Sequence, residues 1–313
     1  MKRWKLIRAM MTASGHADQK YQFDHIDKNG DIHFTNEKGV FLKAKYNSKV
    51  VSLSTDKRRI VKELKPKDDN KYDVILVMGQ SNTYFGTGYD PEIDFPVNEI
   101  RQLGRFAPYP YEIIIAKEPL DNFTLQPGKI GFSLTFSKLY KEENLLGDRR
   151  ILIIPCGKGS TGFITGDWNP GQPLYDDSVQ RINYVLSNYN CKLKAILWQQ
   201  GEADTWNTDY QANLDNMIIT LRSDIPGSSE IPFLLGGFVP YWINLDDSTG
   251  VARKTNTNNI IKDTPNRIAN TAYVDPSEPF VIEKENPDVV PIHYDAVCQR
   301  LLGERYFEIY KNM

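Results

Sequence analysis

The apolar run Val74-Ile-Leu-Val-Met78 leads directly into Gly79-Gln-Ser-Asn82, and this junction constrains the fold more than any other stretch of the chain. An apolar run without polar interruption reads as a strand buried on both faces, as in a parallel sheet covered by helices. Gly79 supports a sharp exit, so the strand delivers Ser81 and Asn82 to the rim of a sheet. Ligands of open α/β sheets sit just beyond the carboxyl ends of such strands. A strand ending in a Gly/Ser/Asn turn is also a common structural feature. The run alone does not decide between a turn and a nucleophile.

From Tyr72 onward, strand-type runs alternate with helical patterns. Strands are predicted at Asp73–Met78, Arg150–Ile154, Ala195–Gln199, Pro232–Gly237 and Thr271–Val274. Amphipathic helices are predicted at Ser133–Leu146, Tyr175–Asn188 and Tyr210–Ser223, and a last one over Asp295–Lys311 opens on a capping-type aspartate. This alternation implies βαβ crossovers. The expected class is α/β, a mainly parallel sheet flanked by helices, over residues 71–313.

Residues 1–70 read differently, as a small β-rich module or extension. Short strands are expected at Tyr21–Ile26, Asp31–Thr35, Val40–Lys45 and Lys49–Ser54, with a hairpin turn through Asn29-Gly30. Asp27, Asn29 and Asp31 have the spacing of a calcium loop, but Lys38 stands where such a loop needs its glutamate, so the hairpin is preferred. Lys57–Asn70 is charged, contains Pro66, and reads as a linker or a surface helix.

Formal net charge is −2, so no global polyelectrolyte partner such as nucleic acid is expected. The charge is uneven, however. Residues 1–70 hold 16 Lys and Arg against 9 Asp and Glu, and the remainder holds 22 against 31. A basic module can serve a protein partner or an anionic surface, or simply be a solvated face. Cys156, Cys191 and Cys298 are widely spaced and odd in number, which argues against a disulfide framework and against a zinc site. No apolar run approaches the ~20 residues that span a bilayer. Arg8 interrupts what would be the apolar part of a signal peptide, so the cytoplasm is the default location, with a virion-associated or periplasmic setting as the alternative.

Two further segments bear on the chemistry. Ile151-Leu-Ile-Ile-Pro-Cys-Gly-Lys-Gly-Ser160 is a second buried strand opening into a glycine-rich loop. It lacks the longer spacing of a phosphate-binding loop, and fits better as a source of backbone N–H donors for an oxyanion. Leu197-Trp-Gln-Gln-Gly-Glu-Ala-Asp204 places an amide and two carboxylates at the same rim. Gln200 can donate to a developing oxyanion, and Glu202 can orient a base. Glu202 and Asp204 are too close in sequence to flank a sugar bond as paired glycosidase acids. Of the four histidines, His16, His25 and His33 precede Ser81, which leaves His293 as the histidine of the α/β part. A serine hydrolase needs a base that takes the serine proton and returns it to the leaving group.

Together, Gly79-Gln-Ser-Asn82, the glycine loop after Pro155-Cys156, Trp198-x-Gln-Gly-Glu202 and the late His293 resemble the sialate O-acetylesterase and acetylxylan esterase group. That group, carbohydrate esterase family six, belongs to the SGNH hydrolases, and the resemblance implies their flavodoxin-like α/β sheet. The chain is most similar in kind to bacterial N-acetyl-9-O-acetylneuraminate esterases, also through Ile100-Arg-Gln-Leu-Gly-Arg-Phe106 and Pro173-Leu-Tyr-Asp-Asp177. The resemblance covers about residues 72–311.

It implies a carbohydrate O-acetylesterase acting without metal or organic cofactor on an acetylated sugar. Sialic acid is the first expectation. Xylan or a bacterial surface polysaccharide is the alternative, and so is a glycan-binding module that has lost catalysis. Ser81 would be the nucleophile and His293 the base. The Ser81 N–H, Gly159 and Gln200 would form the oxyanion hole, with Gly157 also available. Asn82 and Trp242 would contact substrate. Many SGNH enzymes carry an aspartate three residues before the histidine, where this chain has Val290. Glu202, Asp288 or Asp295 would have to take its place, or a backbone carbonyl would hold the imidazole tautomer.

Overall fold

A computed structural model of the chain describes residues 70–283 and 290–313 in full, and the backbone of four strands between residues 21 and 56. The chain divides into two units, 1–68 and 69–313. In the first, β1 (Tyr21–Ile26), β2 (Ile32–Asn36), β3 (Phe41–Asn47) and β4 (Val50–Asp56) form one antiparallel sheet in sequential order. The predicted Asn29-Gly30 turn and the charged stretch after Asp56 lie outside the described residues.

The second unit is built on a seven-stranded sheet. Its strands are β5 (Lys71–Gly79), β6 (Ile100–Leu103), β7 (Ile113–Ile115), β8 (Arg149–Gly157), β9 (Asn190–Gln199), β10 (Phe233–Gly236) and β11 (Thr271–Val274). They lie in the order β11-β10-β9-β5-β8-β6-β7. All pairs are parallel except β6 with the edge strand β7. Five helices pack on this sheet: α1 (Phe132–Glu143), α2 (Pro173–Asn188), α3 (Tyr210–Asp224), α4 (Ser248–Lys262) and α5 (Ala296–Lys311).

Alternation along β5 explains the layers. Val74, Leu76 and Met78 face one side, where Ile182 of α2, Leu214 and Met217 of α3 and Ile261 of α4 meet them. Ile75 and Val77 face the other, against Phe136 of α1 and Leu302 and Tyr306 of α5. All are essentially without solvent exposure. Each fully buried aliphatic side chain contributes about 1.5–3 kcal/mol relative to an exposed one. The uninterrupted apolar run therefore serves two cores at once.

The central strand also fixes where a site can form. β5 pairs with β8 on one side and β9 on the other, so the crossovers diverge from its two edges. The crevice at this switch point opens at the carboxyl ends of the three strands. Those ends are the three segments singled out above, Gln80–Thr83, Lys158–Thr161 and Gln200–Asp204.

Candidate active site

Gly79 is paired with Gln199 and has φ +128°, a region that L side chains rarely adopt. A Cβ there would collide with the Gln199 carbonyl. Only glycine lets β5 pass this close and turn at once into the 3-10 turn Ser81–Thr83. The Gln80 N–H donates to the Gln199 carbonyl at 2.9 Å, and the Lys158 N–H to the Gly79 carbonyl at 3.0 Å, so the three strand ends are tied together. Ser81 opens the turn, and its N–H therefore has no partner within it.

Across this rim, Ser81 Oγ lies 2.9 Å from His293 Nε2, although the two are 212 residues apart in the chain. The phenyl ring of Phe85 packs on the imidazole at 4.6 Å between centroids. Lys129 Nζ lies 4.5 Å from the Phe85 ring centroid. Ser81 is 7% exposed, enough to be reached but shielded from bulk water.

Asn82 is placed differently from the sequence expectation. It has no solvent exposure, so it is not a substrate contact. Its Nδ2 donates to Glu202 Oε1 at 2.6 Å and to the Ile292 carbonyl at 2.9 Å. Its Oδ1 accepts from the Tyr294 N–H at 3.1 Å. One amide thus grips the residues on both sides of His293. Gln299 of α5 adds a bond to the Asn82 carbonyl at 3.0 Å.

Glu202 is reached through that clamp. It is buried, Oε1 is bonded to Asn82, and Oε2 has no hydrogen-bond partner among the described residues. Burial pushes its carboxyl up to about 7, partly offset by the Asn82 hydrogen bond. Its connection to His293 runs through Asn82 and the backbone. Asp295 Oδ1 accepts from the Cys298 N–H at 2.9 Å and caps α5, which gives it a structural task. Asp288 lies outside the described residues.

The glycine loop separates two roles that the sequence left open. The Gly157 N–H donates to Asn122 Oδ1 at 2.9 Å, and a Cβ there would collide with the Thr83 hydroxyl. Gly157 is therefore a packing residue. A Cβ on Gly159 would lie 3.6 Å from Ser81 Cβ, so Gly159 borders the nucleophile. Its N–H donates to the Tyr84 hydroxyl at 3.0 Å.

Gln200 also departs from its expected place. Its side chain is fully buried, and Nε2 donates to Asp204 Oδ2 at 2.6 Å and to the Thr161 carbonyl at 3.2 Å. Two acceptors use both amide hydrogens, which leaves none for an oxyanion. Asp204 in turn accepts from the Phe163 and Ile164 N–H groups, each at 2.9 Å. Gln200 and Asp204 thus join the loops after β8 and β9 rather than facing substrate.

A pocket of about 470 Å³ is lined by the segment that leads into His293, though by neither member of the serine–histidine pair itself. One wall is Val290–Ile292, immediately before His293, and the others carry Trp206, Trp242, Arg253 and Lys254. Trp242, expected from the sequence to contact substrate, is among the pocket's lining residues. Trp206, Arg253 and Lys254 were not foreseen. Trp206 sits two residues past Asp204 in the same rim loop, which is the one signal that could have marked it. A second hollow of about 550 Å³, between Tyr241 and Val281, contains neither member of the pair nor the segment before His293. Among the described residues no His/Cys/Asp/Glu group has the arrangement of a metal site. No helix of the described residues is long and apolar enough to cross a membrane.

A family model of carbohydrate esterases, described as sialic acid-specific acetylesterases, matches residues 71–312. The chain belongs to this family. A probable carbohydrate esterase of Arabidopsis thaliana is 30% identical over 119 residues, 35% of this chain and 44% of that relative, so the match spans less than half of the relative's length. Among solved structures, NanS is similar with a TM-score of 0.67 and 20% identity, covering 78% of this chain and 97% of that one. An Arabidopsis thaliana protein reaches 0.60 at 21% identity, covering 78% and 98%. A carbohydrate acetylesterase from Xanthomonas citri reaches 0.52 at 16%, covering 90% and 61%. At these identities the likeness is one of fold, and it agrees with the mainly parallel sheet expected of an SGNH-type hydrolase.

Proposed function

We propose that this chain is a serine-dependent carbohydrate O-acetylesterase, with an O-acetylated sialic acid as its first substrate. The observation that carries the reading is the 2.9 Å approach of Ser81 Oγ to His293 Nε2, inside the unit matched by the family model. As Ser81 Oγ attacks the acetyl carbonyl, His293 Nε2 takes the hydroxyl proton. The tetrahedral oxyanion faces the Ser81 N–H and the Gly159 N–H, the latter exchanging its bond to Tyr84 for the new acceptor. Collapse breaks the bond to the sugar oxygen, and the imidazolium returns its proton to that oxygen. Water then attacks the acetyl-Ser81 ester with His293 again as base, releasing acetate.

Asn82 holds the histidine segment in register with the nucleophile. Gln200 and Asp204 hold the two loops that frame it. No step requires a metal or an organic cofactor. The basic N-terminal unit is outside this chemistry, and we assign it to a protein partner.

Acetate release from O-acetylated sialic acids, acetylated xylan and acetylated bacterial polysaccharides, compared between the parent and Ser81→Ala, tests the reading. The parent releases acetate from a sialic acid ester, and Ser81→Ala loses several orders of magnitude in kcat while its unfolding transition is retained. Near-parent turnover by the alanine variant would overturn it.

A further inference from the structure

The pocket lined by the segment just before His293 carries a guanidinium, that of Arg253, which feels the Asp246 carboxylate of the same wall but makes no ion pair with it. The Arg253 guanidinium lies 3.4 Å over the ring of Trp206. Its Nε is shielded from solvent and has no hydrogen-bond partner among the described residues, and the Asp246 carboxylate acts on it only at longer range. Buried polar groups are almost always bonded, so an unsatisfied guanidinium nitrogen calls for an explanation. The neighbouring cation is already used. Lys254 Nζ donates to the Trp242 carbonyl at 2.9 Å and lies 3.5 Å from Asp246 Oδ2. The pocket wall therefore carries two cations, Arg253 and Lys254, against one carboxylate, Asp246.

The aromatic partner is also unusual. Trp206 is 69% exposed, which leaves a large flat surface in water beside the guanidinium. Stacking on the indole fixes the plane of the guanidinium, so its free edge is preorganised for a planar acceptor. A carboxylate fits that edge with two parallel hydrogen bonds. The apolar face of a sugar ring would lie against the aromatic wall of Trp206 and Trp242.

We propose that Arg253, backed by Trp206, is the subsite that receives the carboxylate of an acidic sugar and so sets substrate preference. This deepens the reading of the site as a carbohydrate O-acetylesterase and rests on it. Because the pocket wall Val290–Ile292 runs directly into His293, a sugar anchored at Arg253 is held next to the reacting pair. A neutral acetylated sugar lacks that anchor.

The test compares an O-acetylated N-acetylneuraminic acid with its carboxyl methyl ester, reading acetate rather than methanol, in the parent, Arg253→Gln and Arg253→Lys. The methyl ester keeps the ring and the acetyl group and removes the charge. The parent prefers the free acid by at least about tenfold in kcat/KM, as expected for loss of a charge-assisted hydrogen bond. In Arg253→Gln the ratio of the two kcat/KM values falls to within about twofold of one. Arg253→Lys, which keeps charge but not the planar fork, retains an intermediate ratio. A parent ratio near one, or a parent-like ratio in Arg253→Gln, overturns the subsite while leaving the esterase reading intact. Turnover of acetylated xylan with acetate from neither sialic acid ester overturns the subsite and the sugar assignment, but not the esterase chemistry. Acetate from no substrate overturns the esterase reading itself.

Discussion

Asn82 shows how much of a site one buried amide can organise. Its side chain makes three hydrogen bonds, to Glu202, to the Ile292 carbonyl and to the Tyr294 N–H. Asn82→Ala leaves all three partners unsatisfied in a buried place, at about 1–3 kcal/mol for each group that finds no water. The same change releases the backbone on both sides of His293. Organophosphonate labelling of Ser81 and kcat, measured well below the variant's own unfolding midpoint, should both fall by about 10²-fold with a much smaller change in KM. Parent rates in a folded Asn82→Ala would show that the clamp does not position the base. Glu202 makes a separate prediction through its raised carboxyl, about 7 against an ordinary 4.5. Below the ordinary value both folded and unfolded chains hold the proton, so the full stability is present. As pH rises from about 4.5 towards 7 the unfolded chain ionises first and stability is lost; above that the loss is constant. Glu202→Gln keeps the oxygen that Asn82 bonds and removes the ionisation. Urea unfolding across that window should therefore give a shallower decline for the variant. Parallel curves would mean that Glu202 is not held protonated by its burial.

At the scale of elements, the strand ends carry the strictest requirements. Gly79→Ala forces a Cβ into the Gln199 carbonyl at a φ of +128°. The combined strain should cost on the order of 2–6 kcal/mol, read as a large drop in the urea midpoint. Gly147→Ala is the control, because it also has positive φ but meets nothing within 4 Å, and should cost only about 1–2 kcal/mol. Equal losses in the two variants would remove the close approach of β5 to β9 as the reason for Gly79. These same strands were legible in the sequence because burial on both faces writes an uninterrupted apolar run. The run at Val74 and the run at Ile151 both mark strands that end at the site. α4 has few apolar residues, Ile261 being its one fully buried aliphatic side chain, so its periodicity is too weak to read. Arg253 and Lys254, which line the pocket, lie on that helix and were missed with it. β6 and β7 are short strands within a long irregular connection, where no periodicity has room to develop. Ser81 and His293 were legible as residue types at strand and helix ends. The commitment of Gln200 and Asn82 to internal bonds was not, because a polar side chain beside a nucleophile looks the same in sequence whether it faces inward or outward.

At the scale of the molecule, the two units have opposite charge. Residues 71–313 carry 22 basic and 31 acidic residues, and residues 1–70 carry the reverse imbalance. Every residue of the proposed chemistry, both hydrophobic clusters of the described residues and the pocket lie in the second unit. Its sheet is covered by helices on both faces, so a chain of this length has a core of its own to fold around. A chain beginning at Asp69 should therefore unfold in one cooperative transition and hydrolyse p-nitrophenyl acetate with kcat/KM within about threefold of the full chain, since the reacting groups do not change. Removing the basic unit leaves a more acidic protein, so retention on an anionic resin at low salt should be lost with it, and in the full chain should fall steeply as salt rises. Comparing the two chains by urea unfolding, ester hydrolysis and resin retention separates the possibilities. A shortened chain that folds but loses about 10²-fold or more in kcat/KM would place part of the working site in residues 1–68. A shortened chain retained as well as the full one would show that the basic character of the N-terminal unit is not what meets an anionic surface.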